Sequence, residues 1–259
     1  MFSVLDMFTI GVGPSSSHTV GPMCAAQAFA SSLEESGAVS RVGRIRVVLY
    51  GSLSLTGLGH GTDRAILAGL EGNVPATVDT DYLLSVRERC AHDGTIHVNG
   101  TNAIAYDDDG DMVFDRWKRL APHPNGMRFQ AFDAQGNIID EQVWYSIGGG
   151  FIRRGRIDDA LISNHEQTPA SSQSPEDSGN DEAAEYGDGV PYPFVSCDGL
   201  IDLCRKHHLS IADVVWANET ARRSPQEVRD RLTRIWNVMS HCIDAGCASA
   251  TPTLPGGLD

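Results

Sequence analysis

The sequence predicts an α+β fold: a mixed α/β sheet domain at the N-terminal side, followed by an incomplete all-α segment. Three features of the 259 residues carry this expectation. Residues 1–162 mix helix-forming stretches with β-branched and alternating strands joined by tight turns. Residues 163–191 are rich in Ser, Pro, Gly and acid, and too poor in apolar side chains to offset the entropy of ordering them. Residues 192–259 then carry helical periodicity alone. Helices interleaved with hairpin-linked strands suit a sheet with helices on one face. The expected division is a sheet domain over 1–162, a flexible acidic linker over 163–191, and the truncated start of a helical domain over 192–259.

In chain order, residues 20–36 are Ala-rich without internal breakers and enter through Gly21-Pro22, which marks a helix start. Residues 44–50 (RIRVVLY) form a β-branched run and predict a strand. Residues 62–70 predict a short helix closed by Gly72, and residues 80–91 another with Thr80 as N-cap. Met127, Phe129 and Ala131 alternate with Arg128 and Gln130, the period of a half-buried strand. The turn at 134–137 returns the chain as a second strand over 138–147. Beyond the linker, residues 196–208 predict one helix, and a second follows Leu209-Ser210 through Ala221. Ser224-Pro225-Gln226-Glu227 is a capping box with Pro at the first helical position. The helix it opens carries Val228, Leu232, Ile235, Met239 and Ile243 on one stripe, and Thr251-Pro-Thr-Leu-Pro-Gly-Gly ends it. Roughly seventy residues in three helices make a marginal core, so this segment is expected to pack against further chain.

Composition is that of an ordinary globular protein, 41% hydrophobic and 21% charged. No apolar run approaches the ~20 residues of a membrane span, and the start has Asp6 and no basic region, so a soluble cytoplasmic protein is expected. Net charge is −14, which disfavours nonspecific nucleic-acid binding. Glu166, Glu176, Asp177, Asp181, Glu182, Glu185 and Asp188 supply half of that charge, so it says little about substrate. The six cysteines include no C-x-x-C pair and are expected to be buried free thiols on helices. There is no HExxH and no His/Cys set with zinc spacing; His207-His208 with Cys204 is expected to be a helix surface. The two lysines, Lys118 and Lys206, lie outside the Gly- and Ser-rich motifs, so pyridoxal phosphate is not expected.

Four polar motifs are suited to chemistry. Gly13-Pro14-Ser15-Ser16-Ser17-His18-Thr19 precedes a helix, where hydroxyls and N–H groups bind a carboxylate or phosphate or simply cap the helix. Gly57-Leu58-Gly59-His60-Gly61-Thr62-Asp63 leaves His60 sterically accessible, as a general base or as an exposed histidine on a tight turn. His123-Pro124-Asn125-Gly126 is a turn. Tyr145-Ser146-Ile147-Gly148-Gly149-Gly150 ends a strand with glycines that cradle a ligand or bend the chain. The glycine spacings match no nucleotide-binding pattern.

Taken in order, SSSHT, a strand ending YGSL, TGLGHGTD, HPN and YSIGGGF resemble the β domain of the iron–sulfur-dependent bacterial L-serine dehydratases. The later helices, Trp216-Ala-Asn-Glu219 and the final LPGGL resemble the opening of that family's catalytic α domain. The resemblance implies an L-serine ammonia-lyase that converts L-serine to pyruvate and ammonia. It implies a [4Fe–4S] cluster with one iron free of cysteine, acting as a Lewis acid. It makes His60 the base for the α-proton, with His18 and Ser15, Ser16 and Ser17 near the substrate carboxylate and Asp63 orienting a histidine. Thr62, His123, Asn125, Ser146 and Gly148 complete the implied substrate-binding set. In that family the cluster cysteines lie downstream of LPGGL, and none of the six here matches them. The implied partners are L-serine, the remainder of the α domain or a separate α subunit, and a second copy of the chain in a homo-oligomer. Similarity also extends to a regulatory domain of some phosphoglycerate dehydrogenases, which implies the alternative of a non-catalytic serine-binding or oligomerisation module.

Overall fold

The computed structural model describes residues 3–164 and 189–249. They form two compact units: residues 11–164, and residues 3–10 together with 189–249. The acidic linker expected over 163–191 falls almost wholly outside the described residues, as does the TPTLPGG end.

In the first unit, helices α1 (Gly21–Glu35), α2 (Ser52–Thr56), α3 (Thr62–Leu70), α4 (Thr80–Asp93) and α5 (Asp108–Asp111) accompany nine strands. These are β1 (Arg44–Tyr50), β2 (Thr95–Val98), β3 (Asn102–Ala105), β4 (Met112–Asp115), β5 (Lys118–Leu120), β6 (Gly126–Phe132), β7 (Ile138–Gly148), β8 (Phe151–Arg154) and β9 (Leu161–Ser163). A seven-stranded sheet runs β2-β3-β1-β6-β7-β8, with β4 also on β1. The sheet is mixed: β1 pairs parallel with β3 and β4 and antiparallel with β6, while β6–β7–β8 is an antiparallel meander. Strands β5 and β9 pair separately.

The strand at 44–50 and the helix at 62–70 stand as the sequence predicts. The alternation in β6 buries Met127, Phe129 and Ala131 completely. Those side chains meet α1 and α3, and the rings of Phe29 and Phe129 stack 5.2 Å apart. Fully burying a side chain of this size contributes about 1.5–3 kcal/mol, so this helix-on-sheet layer is the principal source of cohesion. The helix at 80–93 departs in detail: Asp79, not Thr80, is its N-cap, accepting from the Tyr82 N–H at 2.9 Å. The carboxylate one residue earlier already satisfies that first-turn donor. Strands β2–β5, β8 and β9 are three or four residues long, too short to show a period in the sequence.

The second unit holds α6 (Cys197–His207), α7 (Ile211–Thr220) and α8 (Pro225–Ala248). Ser196, Ser210 and Ser224 cap them; Ser210 and Asp213 make a reciprocal capping box. The sequence reading puts the first residues of the chain with the sheet, whereas Ser3 and Val4 are tied here. Buried Glu219 of α7 accepts from Ser3 Oγ at 2.9 Å and the Val4 N–H at 2.8 Å, and pairs with Arg223 at 2.7 Å. Leu5, Val214 and Val228 are buried around this contact. Farther along α8 the apolar stripe opens to solvent: Leu232, Met239 and Ile243 are exposed, with Trp236 beside them.

Candidate active site

The start of α1 sets the first wall. Ser16–Val20 form one wide π-type turn that runs directly into α1. Ser15 caps it, its Oγ accepting from the His18 N–H at 3.1 Å and its carbonyl from the Thr19 and Val20 N–H groups. The Ser16 and Ser17 N–H groups open the turn, where a helix has no internal acceptors to offer. Ser16 is exposed, and Ser15, Ser17 and His18 are half-buried.

His18 is held at both ring nitrogens by hydroxyls. Nδ1 lies 2.9 Å from Ser17 Oγ and Nε2 lies 2.9 Å from Ser52 Oγ. Burial, and secondarily the neighbouring His60, hold its pKa below the usual 6.5, so the ring is neutral at neutral pH. The His60 ring is centred 4.9 Å away and tilted by 40°. Its Nδ1 lies 2.9 Å from the Thr56 carbonyl oxygen, which can only accept. Nδ1 therefore carries the proton, and in the neutral ring Nε2 presents a lone pair. Thr19 Oγ1 donates to the His60 carbonyl at 2.9 Å, and Thr62 Oγ1 to that of His18, so the two histidine-bearing segments are stitched together.

The remaining motifs reach the same place through the backbone. The Ser52 N–H donates to Pro124 O at 2.9 Å, bringing the His123–Asn125 turn against the end of β1. The Asn125 N–H donates to His123 Nδ1 at 3.1 Å, which leaves the proton of neutral His123 on Nε2. Burial and then Arg153 lower the pKa of that ring. Asn125 Nδ2 donates to Ser146 O at 3.2 Å, and the Ser146 N–H donates to Asn125 O at 3.0 Å. Ser146 Oγ is buried with no hydrogen-bond partner among the described residues. It packs on Gly21 at the start of α1, where a Cβ would lie 2.0 Å from it, so only glycine fits. A buried hydroxyl left without a partner is costly, and one aimed at a helix start is poised for a bound acceptor.

The sequence-derived residues thus separate. Ser15, Ser17, His18, His60, Thr62, Asn125 and Ser146 are linked by these contacts, but Thr62 is fully buried and its hydroxyl serves the His18 carbonyl. Gly148 lies in the β7–β8 hairpin, where it pairs with Phe151. Among the described residues no hydrogen bond joins Asp63 to a histidine. Its carboxylate is buried against Arg87, because that guanidinium reaches both Asp63 and Asp108. Ser52 is the member sequence reasoning passes over; its signal is its place in YGSL, two residues past the end of β1.

The cysteines are all free and all on helices, but only Cys90 is buried; Cys197, Cys242 and Cys247 are exposed at helix starts and on α8. Burial raises the pKa of Cys24, and that of Cys90 to about 11. Among the described residues no three His, Cys, Asp or Glu side chains converge, so these thiols do not fit an iron–sulfur cluster. No described helix is long and apolar enough to cross a membrane.

A family model described as the serine dehydratase beta chain matches residues 3–156. The chain is 41% identical over 256 residues to an L-serine dehydratase of Streptomyces coelicolor, an alignment covering 99% of this chain and 52% of that protein. It is 38% identical over 262 residues to L-serine dehydratase 1 of Escherichia coli, covering 100% of this chain and 52% of the relative. With the L-serine dehydratase of Mycobacterium tuberculosis it shares 37% identity over 257 residues, 99% and 50% of the two chains. The chain spans about half the length of the curated relatives it matches.

Proposed function

The chain belongs to the serine dehydratase β-chain family, and from that premise we propose that it supplies the carboxylate-binding and proton-transfer half of an L-serine ammonia-lyase site. The observation that carries this is the fixed pair of histidines at a helix start: His60, its Nδ1 bound to Thr56 O so that Nε2 of the neutral ring presents the lone pair, 4.9 Å from a neutral His18. The Ser16 and Ser17 N–H groups and the Ser15 and Ser17 hydroxyls receive the carboxylate of L-serine, with the buried Ser146 hydroxyl behind them. His60 Nε2 takes the α-proton. Loss of that proton and of the β-hydroxyl as water gives aminoacrylate, which tautomerises to the imine and hydrolyses to pyruvate and ammonia.

We place the thiolate ligands of the [4Fe–4S] cluster outside this chain, because its own cysteines do not converge. The half of the relatives' length that this chain does not span, continuous with it or as a separate α subunit, is the proposed source. The exposed side chains of Leu232, Trp236, Met239 and Ile243 on α8 are the proposed seat for it. The complete enzyme, this chain with that half, is expected to release pyruvate and ammonia from L-serine in equal amounts in a coupled dehydrogenase assay. Saturable serine binding with no turnover would favour the regulatory-module alternative instead.

A further inference from the structure

We propose that Ser52 is a positioning residue of this site: its hydroxyl holds the His18 ring while its backbone N–H ties the His123–Asn125 turn to the same point. The proposal rests on the reaction assigned above. Two groups of this one residue face two other segments, and a third stays within its own helix. Ser52 Oγ lies 2.9 Å from His18 Nε2. Its N–H donates to Pro124 O at 2.9 Å, and its carbonyl accepts from Thr56 Oγ1 at 3.0 Å. Thr56 is the residue whose own carbonyl holds His60. The Ser52 hydroxyl is not a helix cap, because α2 makes no side-chain cap hydrogen bond. Ser17 and His18 are the residues its presence organises.

Local backbone geometry delivers it there. Gly51 has φ 57° and ψ −129°, and a Cβ on it would lie 2.2 Å from Pro124 O. Only glycine permits that approach, and it turns the chain out of β1 so that the next residue points at His18. A neutral imidazole has one N–H and one lone pair, whereas each flanking hydroxyl both donates and accepts. Ser17 and Ser52 together therefore satisfy His18 in either tautomer without charging it. Without Ser52 Oγ, Nε2 loses its partner and Ser17 alone decides the tautomer.

The test is the Ser52→Ala variant, with Ser52→Thr as the hydroxyl-retaining control, followed by two-bond nitrogen–proton spectra of the histidine rings in this chain. Ser52→Ala is expected to change the His18 tautomer ratio by about twofold or more, the scale of one modest hydrogen bond, and to leave the His60 signals in place. Ser52→Thr is expected to restore the His18 pattern. In the complete enzyme the misplacement of His18 by Ser52→Ala is expected to lower kcat by about tenfold to a hundredfold with a smaller change in KM. His18 signals in Ser52→Ala identical to wild type would overturn the assignment. Altered His18 signals with undiminished kcat would uphold the Ser52 contact and overturn its service to the proposed reaction.

Discussion

Replacing His60 with alanine in the complete enzyme is expected to lower kcat for pyruvate formation by about 10²–10⁴-fold, the usual contribution of a positioned general base. The chain itself is expected to keep its circular dichroism and thermal midpoint. The His60 ring is only partly buried and makes one side-chain hydrogen bond, to Thr56 O. What the variant loses is a base whose tautomer is already fixed, so no rearrangement precedes proton abstraction. His18 does not replace it, because both of its nitrogens are engaged by Ser17 and Ser52. Undiminished pyruvate formation by His60→Ala would remove this residue from the mechanism.

The largest effect on stability is expected at Arg87. Its Nε and Nη2 reach Asp108 at 3.0 and 2.8 Å, and its Nη1 pairs with Asp63. The Asp63 side chain is 5% exposed, and its other oxygen is buried with no partner among the described residues. Hydrogen bonding from Arg87, the largest influence, holds the Asp108 carboxyl below its ordinary range. Arg87→Ala leaves two carboxylates facing one another with the deeper one uncompensated. Breaking a buried pair costs about 3–5 kcal/mol, and the partial exposure of Arg87 puts this case at the lower end. About 3 kcal/mol corresponds to a fall in Tm on the order of 6–12 °C. The Asp63→Asn/Arg87→Ala double variant is expected to recover part of the loss. Scanning calorimetry of this chain showing an unchanged Tm for Arg87→Ala would contradict this account of Asp63.

Asp63 also shows where sequence reasoning stops. It stands three residues after His60, and a carboxylate beside a histidine suggests an orienting role, but its partner comes from α4, 24 residues on. Long-range pairing of this kind leaves no local period. The elements that were legible have one: the β-branched run of β1, the alternation of β6 and the capped starts of α7 and α8. The short strands had none, and neither did the attachment of Ser3 and Val4 to Glu219, a contact between residues more than two hundred positions apart. At the site, SSSHT, the His60 loop, Asn125 and Ser146 were visible because hydroxyls, histidines and glycines crowd into turns. Ser52 was not, because a single serine after a strand is common and only the fold turns it onto His18.

The claim that these loops together form the serine-binding face is tested most directly by titrating L-serine into this chain and following its backbone amide signals. Saturable shifts confined to residues 15–20, His60 and Ser146 are the predicted result. Saturable shifts that leave those residues untouched, or no shifts at all, would contradict it.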